Sequence, residues 1–312
     1  MTFFPTRAAR WKGFRSVLCP IDFSEQSRMA LRCAEAIAMR GNGALTVAYA
    51  NDPLLVASAA VALHDRQLAK QSASELGEFV DSTLSAGSQK RLRVKSDVST
   101  GHPADAIRKA AVRHRSDLVV LGTHGLTGAD RLLMGSTTLS VLQRTTIPVL
   151  AVPRADRMPA ATVSQSWPGQ RIVAAIELDA EAGRDADIAA RIAQWFGSSL
   201  LLLHVVGEIS APAWMRGDLS AHDRIRVAQT QQEIDVLAAA VRRLVETDAR
   251  VVCGRIADEI AAFAAAERTG LMMTALRDRR AWFGARRGSV SYHVLSHAVT
   301  PVLAYPPRWR PR

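Results

Sequence analysis

The sequence has 312 residues, which is enough for about two domains of ordinary size. Apolar residues make up 48% and charged residues 22%, a globular composition that excludes an intrinsically disordered chain and a collagen-like repeat. Forty Lys and Arg residues against 29 Asp and Glu give a formal net charge of +11, which favours an anionic partner such as a nucleotide, a nucleic acid or an anionic membrane surface, although an Arg- and Ala-rich genome would produce the same balance.

In chain order, the first half alternates short apolar runs with segments of helical periodicity. Strands separated by helices pair in parallel through right-handed crossovers, and the ligands of such a sheet bind beyond the carboxyl ends of its strands. We predict strands over 16–21, 45–50, 91–98, 117–121 and 149–152, a helix from Ser24 to about Met39, a mostly helical segment over 54–84, and helices over 104–114 and 136–144.

The second half repeats the landmarks of the first at an almost constant spacing. The run 16–22 (SVLCPID) resembles 171–177 (RIVAAIE), and 146–153 (TIPVLAVP) resembles 299–306 (VTPVLAYP). We therefore predict an α/β fold of two tandem doubly wound (Rossmann-like or flavodoxin-like) domains, each a five-stranded, mainly parallel sheet with helices on both faces. The predicted domains cover residues 1–154 and 171–312, with a linker over 155–170. No apolar run is long enough to cross a bilayer, so we expect a soluble, cytoplasmic protein without membrane contact.

A glycine-containing loop follows the fourth predicted strand. It reads Leu121-Gly122-Thr123-His124-Gly125 and, after nine intervening residues, Gly135-Ser136-Thr137-Thr138. Gly122 and Gly125 can adopt positive φ and let backbone N–H groups approach a ligand. Gly135 and Ser136 open a helix, whose free N–H groups favour an anion. The loop and the helix start together predict a phosphate cradle, whereas two glycines alone would predict only a turn.

The whole pattern resembles the G-x2-G-x9-G-(S/T) signature of the nucleotide-binding branch of the universal stress protein family. The resemblance extends over nearly the whole chain as a tandem pair, and includes Pro20-Ile21-Asp22-Phe23-Ser24, Gly101-His102-Pro103 and the closing run 148–153. It implies a regulatory role in the stress response and the binding of an adenine nucleotide, ATP, which Mg²⁺ could accompany.

The resemblance also implies roles for individual residues. Asp22 would accept hydrogen bonds from the ribose or the adenine, beside Pro20 and Ile21, although a helix-capping or loop carboxylate is the alternative for Asp22. Ala50 and Leu121 would line the base. The implied contacts to ribose and phosphates come from Gly122, Gly125, Gly135, Ser136 and Thr137, with Thr138 as an extra donor and His124 orienting the loop or touching a phosphate. Ile21 departs from the small polar residue or Val usual in the family, which leaves its contact open.

The second copy has lost this loop. Ala275 and Asp278 stand at the positions of Gly122 and Gly125, and Glu177 stands at that of Asp22. A carboxylate at position 278 would repel a phosphate. The arginines that crowd this region, Arg277, Arg279, Arg280, Arg286 and Arg287, are interpreted as a solvated basic face, with an anion site as the alternative. We therefore predict one competent nucleotide site, in the first domain.

No catalytic residue and no metal site are predicted. The chain has no GxxxxGK[ST] motif, and His124 is the one candidate base beside the loop, so the sequence favours binding over hydrolysis. His293 and His297 have the spacing of a helical metal pair, but the zincin Glu is missing. Three cysteines without a CxxC spacing predict neither a disulfide framework nor a zinc knuckle.

Three other functions stay open: a very slow ATPase, a nucleotide-independent scaffold whose second domain recruits an unidentified protein partner, and a basic nucleic-acid binder. Nucleic acid is disfavoured because no helix-turn-helix, RRM or zinc finger occurs and the basic segments 7–15 and 308–312 are interpreted as disordered, solubilising ends. The apolar edge strands 149–152 and 302–304 are expected to pair with each other, either as an intramolecular pseudo-dimer or across a homodimer.

Overall fold

The computed structural model describes residues 11–62, 68–123, 134–154, 156, 167–209, 220–267, 269–277 and 290–311. The first half contains β1 (Ser16–Pro20), α1 (Glu25–Gly41), β2 (Ala44–Asn51), α2 (Pro53–Ala62), α3 (Leu68–Thr83), α4 (Ala86–Arg91), β3 (Arg93–Thr100), α5 (Pro103–Arg113), β4 (Leu118–Gly122), α6 (Ser136–Arg144) and β5 (Val149–Val152). The second half contains β6 (Arg171–Ala175), α7 (Ala182–Phe196), β7 (Ser199–Gly207), α8 (Ser220–Val241), β8 (Thr247–Gly254), α9 (Ile256–Ala266), β9 (Met272–Ala275), α10 (Val290–His297) and β10 (Val302–Tyr305).

All of these strands belong to one sheet, in the order β3-β2-β1-β4-β5-β10-β9-β6-β7-β8. Neighbouring strands within each half are parallel, which confirms the predicted doubly wound α/β fold. The halves join where β5 and β10 run antiparallel, with Val302 opposite Ala151 and Ala304 opposite Val149. The two apolar edge strands therefore pair inside one chain, which is the intramolecular one of the two predicted arrangements.

Helix α1 begins and ends at local signals that the sequence carries. The Ser24 hydroxyl accepts a hydrogen bond from the backbone N–H of Ser27 at 3.1 Å, as expected of an N-cap. Asn42 adopts a left-handed conformation (φ 47°) and closes the other end. The helix therefore extends to Gly41, slightly beyond the predicted end at Met39.

The segment between β2 and β3 is mostly helical where it is described, as predicted. The described part of 54–84 forms two helices, α2 and α3. A short helix that was not predicted, α4, follows because the Ser85 side chain accepts from the Ser88 N–H at 3.2 Å and caps it. Since α4 uses the residues up to Arg91, strand β3 begins at Arg93 and not at position 91.

Helices α1 and α7 bring the two halves together. The Arg40 guanidinium donates to the Trp195 carbonyl oxygen at 2.9 Å and lies 5.7 Å from the centre of the Trp195 ring. Gly13 has a φ of +85° and lies so close to this ring that a Cβ at position 13 would be 1.9 Å from the indole Nε1. The contact between the halves therefore depends on a glycine that leaves room for an aromatic ring.

The chain ends pack against the core where they are described. Trp11 and Phe14 are buried, and the Phe14 ring stacks on the Trp309 ring with centroids 6.3 Å apart. The prediction of disordered ends is wrong for residues 11–15 and 308–311, because Trp11, Phe14 and Trp309 pack against one another and bury apolar surface. Residues 7–10 and 312 lie outside the described part of the chain. Among the described helices, none is both long and apolar enough to cross a membrane.

Candidate functional site

A pocket of about 290 Å³ lies beyond the carboxyl ends of β1, β2 and β4. This is the edge at which a doubly wound sheet binds its ligands. The pocket brings together ten of the residues that the resemblance implied: Pro20, Ile21, Asp22, Ala50, Leu121, Gly122, Gly135, Ser136, Thr137 and Thr138. His124 and Gly125 belong to 124–133, outside the described residues. The contacts of all twelve with a ligand stay a prediction.

Seven further lining residues were not predicted from the sequence: Ser27, Ala48, Tyr49, Ser99, Pro103, Ala106 and Ile107. Two regularities could have found several of them. Ala48 shares one face of β2 with the predicted Ala50, because alternate residues of a strand face the same side. Pro103, Ala106 and Ile107 follow Gly101-His102 at helical spacing, so the first turns of α5 present them to the same place.

The turn between β1 and α1 sets the position of Asp22. Its Oδ1 accepts hydrogen bonds from the Ser24 N–H at 3.1 Å, the Ser24 hydroxyl at 2.5 Å and the Ser27 hydroxyl at 2.6 Å. Phe23 adopts a positive φ of 63°, and its ring packs on Tyr49 with centroids 4.7 Å apart. Asp22 thus organises the turn and lines the pocket at once, so the capping and ligand roles do not exclude each other.

Electrostatic coupling between Asp22 and Tyr49 agrees with this geometry. The pKa of the Tyr49 hydroxyl is raised, first because the side chain is partly buried and second because the negative charge of Asp22 disfavours a tyrosinate. Tyr49 therefore stays a neutral hydrogen-bond donor on the pocket wall at ordinary pH.

The start of α6 supplies unused hydrogen-bond donors. Gly135 is the N-cap residue and has no side chain, so no side-chain oxygen caps the first N–H groups of the helix. Within the described chain, neither the Ser136 hydroxyl, which is exposed, nor the Thr137 hydroxyl has a hydrogen-bond partner. No Lys or Arg belongs to the described wall. Among the described residues, the groups that can hold an anion are therefore the backbone N–H groups, the two hydroxyls and the dipole of α6.

Two predicted roles at this loop need correction. Gly122 is the last residue of β4 and has an extended conformation, so it does not use the positive φ expected of it. The Thr138 hydroxyl donates to the Gly122 carbonyl oxygen at 2.8 Å, and its proton is thus not available to a phosphate. Thr138 instead fastens α6 to the end of β4, beside a second link from the Gly135 N–H to the Thr123 carbonyl oxygen at 2.8 Å.

Comparison with known proteins agrees with this fold. The model of the universal stress protein family matches residues 13–153 and 169–306. The chain belongs to the universal stress protein family. The two matched segments correspond to the two halves of the sheet, so this is a tandem universal stress protein.

Individual relatives resemble either one half or the whole chain. A Thermus aquaticus universal stress protein, named for its place in the QAH/OAS sulfhydrylase 3' region, is 26% identical over 153 residues, which are 45% of this chain and 98% of that protein. The crystal structure of a universal stress protein from Archaeoglobus fulgidus covers 95% of this chain and 97% of its own, with 17% identity and a TM-score of 0.63. A universal stress protein solved in complex with cAMP covers 45% of this chain and 96% of its own, with 23% identity and a TM-score of 0.33.

In the second domain of this universal stress protein, charged side chains form ion pairs beyond the carboxyl ends of β6 and β9, the position that corresponds to the nucleotide pocket. Arg277, which follows β9 as His124 follows β4, forms ion pairs with Asp179 and Asp185, and its Nε lies 4.0 Å from Glu177 Oε2. The Arg277 side chain is only 16% exposed. The interpretation of Arg277 as part of a solvated face is therefore wrong: the carboxylates at the end of β6 recruit it inward. Asp278, the four other arginines and Gly288-Ser289 lie outside the described residues.

The buried member of this cluster is Asp185, which is 1% exposed. It accepts from the Arg184 guanidinium at 2.6 Å as well as from Arg277, so two cations face one buried carboxylate. Burial raises the pKa of the neighbouring Tyr305 hydroxyl well above its ordinary value, and the charge of Asp185 adds to the effect. The cluster is a closed set of charges and not an open cradle.

Metal-binding groups do not converge in the described part of the chain. There, no three His, Cys, Asp or Glu side chains are placed to hold a metal ion. The side chain of His293 is not among those described, so the structure does not test whether His293 and His297 could hold a metal ion. The cysteines Cys19, Cys33 and Cys253 are all free.

Proposed function

We propose that this universal stress protein binds ATP in the pocket of its first domain, for which we propose the bounds 1–154, and that nucleotide occupancy regulates a partner protein in the stress response. The uncapped N-terminus of α6 carries the proposal, because its free N–H groups and the Ser136 and Thr137 hydroxyls face a pocket whose other wall is apolar. A phosphate chain and a planar base need these two kinds of surface.

The positions of the apolar and polar groups in the pocket set the proposed orientation of ATP. Ala48, Ala50 and Leu121 offer apolar surface for the base, and Asp22 offers a carboxylate for ribose or base donors. The phosphates belong at the α6 end, where the helix dipole favours negative charge. Any Mg²⁺ would come with the nucleotide and be held mainly by phosphates and water, as Mg²⁺ commonly is.

We propose a single site per chain. In the second domain the ion pairs of Arg277 occupy the position that corresponds to the start of the glycine loop. A nucleotide there would have to separate charges that already neutralise each other, at the cost of leaving Asp185 buried beside Arg184 alone.

We also propose binding without efficient turnover. The titratable side chains of the described pocket wall are Asp22 and Tyr49, and Asp22 Oδ1 already accepts three hydrogen bonds. The rival function, slow ATP hydrolysis, would show itself as ADP that accumulates in proportion to protein and time.

Calorimetric titration with ATP tests the site. The double variant Gly122→Ala/Gly125→Asp, which adds a methyl group and a carboxylate to the loop, should lose ATP binding at least a hundredfold. The matched control is Gly77→Ala/Gly87→Asp, because a Cβ at either of these helical positions meets nothing within 4 Å. ATP binding that survives in the loop variant, or that is lost equally in the control, would contradict the proposal.

A further inference from the structure

A second cleft, of about 860 Å³, lies at the opposite end of the first domain. The nucleotide pocket surrounds carboxyl ends of strands, whereas this cleft surrounds amino ends. Arg15 directly precedes β1, Arg93 is the first residue of β3, and Ser116-Asp117 directly precedes β4. The segment 308–310, which follows the last strand of the second domain, completes the wall. The cleft therefore exists only where the two ends of the chain meet.

The cleft has a strong excess of positive charge. Five exposed cations line it: Lys12, Arg15, Arg93, Arg308 and Arg310. Within the described part of the chain, none of them lies within 4 Å of a carboxylate oxygen. Asp117 is the one acidic lining residue, and its two oxygens accept from the Arg15 N–H at 2.7 Å and the Ser16 N–H at 3.0 Å. Its carboxylate is thus hydrogen-bonded by backbone groups, and although it also interacts electrostatically with Arg15, one carboxylate leaves the cleft with an excess of cations.

A buried hydroxyl without a partner gives independent support for a ligand. Ser116 is 8% exposed and lines the cleft, and its Oγ has no hydrogen-bond partner in the described structure. A buried polar atom without a partner costs free energy, so such atoms often mark the place of an absent ligand or ion.

Aromatic side chains also line the cleft, beside these cations. Trp309 lies between Arg308 and Arg310 in the chain, stacks on Phe14 and stays partly exposed at the cleft. Grooves that hold single-stranded nucleic acid combine two features. Cations lie along the path of the phosphate backbone, and aromatic side chains offer a surface on which the bases stack. An acidic peptide would pair with the cations, but its binding does not in general require contact with an indole ring. The sequence predicts disordered basic ends, whereas Phe14 and Trp309 of these segments pack on each other at the cleft.

From this geometry we propose that the cleft between the two chain ends binds single-stranded nucleic acid through its phosphates, with bases against Trp309. The site is separate from the nucleotide pocket, so the proposal does not depend on ATP binding. It also gives the tandem arrangement a purpose, because the second domain supplies the Arg308–Arg310 side of the cleft.

Fluorescence anisotropy of a labelled twelve-nucleotide oligothymidylate, titrated with the full-length protein, tests whether the cleft binds single-stranded nucleic acid. Arg15→Gln/Arg93→Gln should weaken binding by about tenfold at moderate salt and reduce the log–log salt slope by about 1.4, since each single-strand phosphate contact contributes roughly 0.7. Arg32→Gln/Arg243→Gln, which removes two exposed arginines elsewhere, should leave both quantities unchanged. Unchanged binding in the cleft variant, with a wild-type melting temperature, would overturn the proposal.

Competition separates nucleic acid from other sources of negative charge. Inorganic polyphosphate and poly-L-glutamate, at equal charge, should displace the oligonucleotide at least tenfold less effectively, because neither offers a base to Trp309. Equal competition by either polymer would replace nucleic acid by that class of anion and so refute the assignment. Excess ATP should not displace the oligonucleotide, and displacement by ATP at its own binding concentration would place the oligonucleotide in the nucleotide pocket instead.

Discussion

Adjacent threonines at the start of α6 have different partners. Thr138 donates to the Gly122 carbonyl oxygen, whereas the Thr137 hydroxyl faces the pocket and has no partner in the described chain. Thr138→Val should lower the free energy of unfolding by about 1–2 kcal/mol, because a protein hydrogen bond is lost. Thr137→Val should leave stability unchanged and weaken ATP binding by roughly tenfold, the loss of one charge-assisted bond. Urea denaturation and calorimetry on both variants check this, and a reversed pattern would refute it.

The cysteines differ in reactivity because they differ in burial. Cys19 and Cys33 are fully buried; burial raises the pKa of the Cys33 thiol to about 12 and that of Cys19 further still. Since the thiolate is the reactive form, neither should react in the folded protein. Titration with a thiol reagent at pH 8 should modify Cys253 alone, and Cys253→Ser should remove that reaction. Modification of all three before unfolding would show that the core around α1 opens.

Residue roles were the least predictable level. Ten of the twelve residues that the family resemblance implied line one pocket, because motif positions follow the ends of strands, and their contacts with a ligand stay a prediction. It could not show that the Thr138 proton is used internally or that Arg277 turns inward, because both depend on partners more than ten residues away in the chain. Asp179 and Asp185 attract Arg277, and neither is marked in the sequence by a motif.

At the scale of elements, the end of α1 tests how closely this helix packs against the segment that precedes β1. A Cβ at Gly41 would be 1.9 Å from the Phe14 carbonyl oxygen, which is backbone and cannot move aside. Gly41→Ala should therefore destabilise the protein by about 2–3 kcal/mol, as overpacking does. Gly77→Ala in α3, where nothing lies within 4 Å, should instead stabilise it by about 0.5–1 kcal/mol. Equal effects of the two changes in chemical denaturation would contradict this packing.

Strands and long helices were predictable from periodicity, and short capped pieces were not. The continuous apolar runs gave β1, β2, β4 and β5 to within a few residues, because strands buried on both faces contain little else. Helix α4 was missed since six residues show no period, and only the Ser85 cap marks it. Disorder was predicted for the C-terminal segment from the arginines of 308–312. The prediction left out Trp309, whose ring packs on Phe14.

At the scale of the molecule, the two domains share a fold but differ in what fills the end of the sheet. Arg277→Met should lower the free energy of unfolding by about 2–3 kcal/mol, less than the roughly 3–5 kcal/mol for a fully isolated buried charge, because Arg184 still pairs with Asp185. Arg255→Met, which removes an exposed i,i+3 pair with Asp258, should cost below about 1 kcal/mol. Similar losses in the two variants would mean that Arg277 is solvated after all.

The continuous sheet makes the two-domain chain behave as one unit. Pairing of β5 with β10 satisfies both apolar edges internally, so the chain has no need of a second copy to cover them. The asymmetry between the described residues of the two domains supports the proposal of one nucleotide site per chain.

The stoichiometry of ATP binding to the full-length, nucleotide-free protein tests this central claim most directly. Calorimetry should give close to one ATP per chain, with Arg277→Met also giving one, because removal of the guanidinium leaves carboxylates and not a cradle. Two ATP per wild-type chain would contradict the claim that the second domain is closed. No binding by the folded protein would refute the nucleotide site itself.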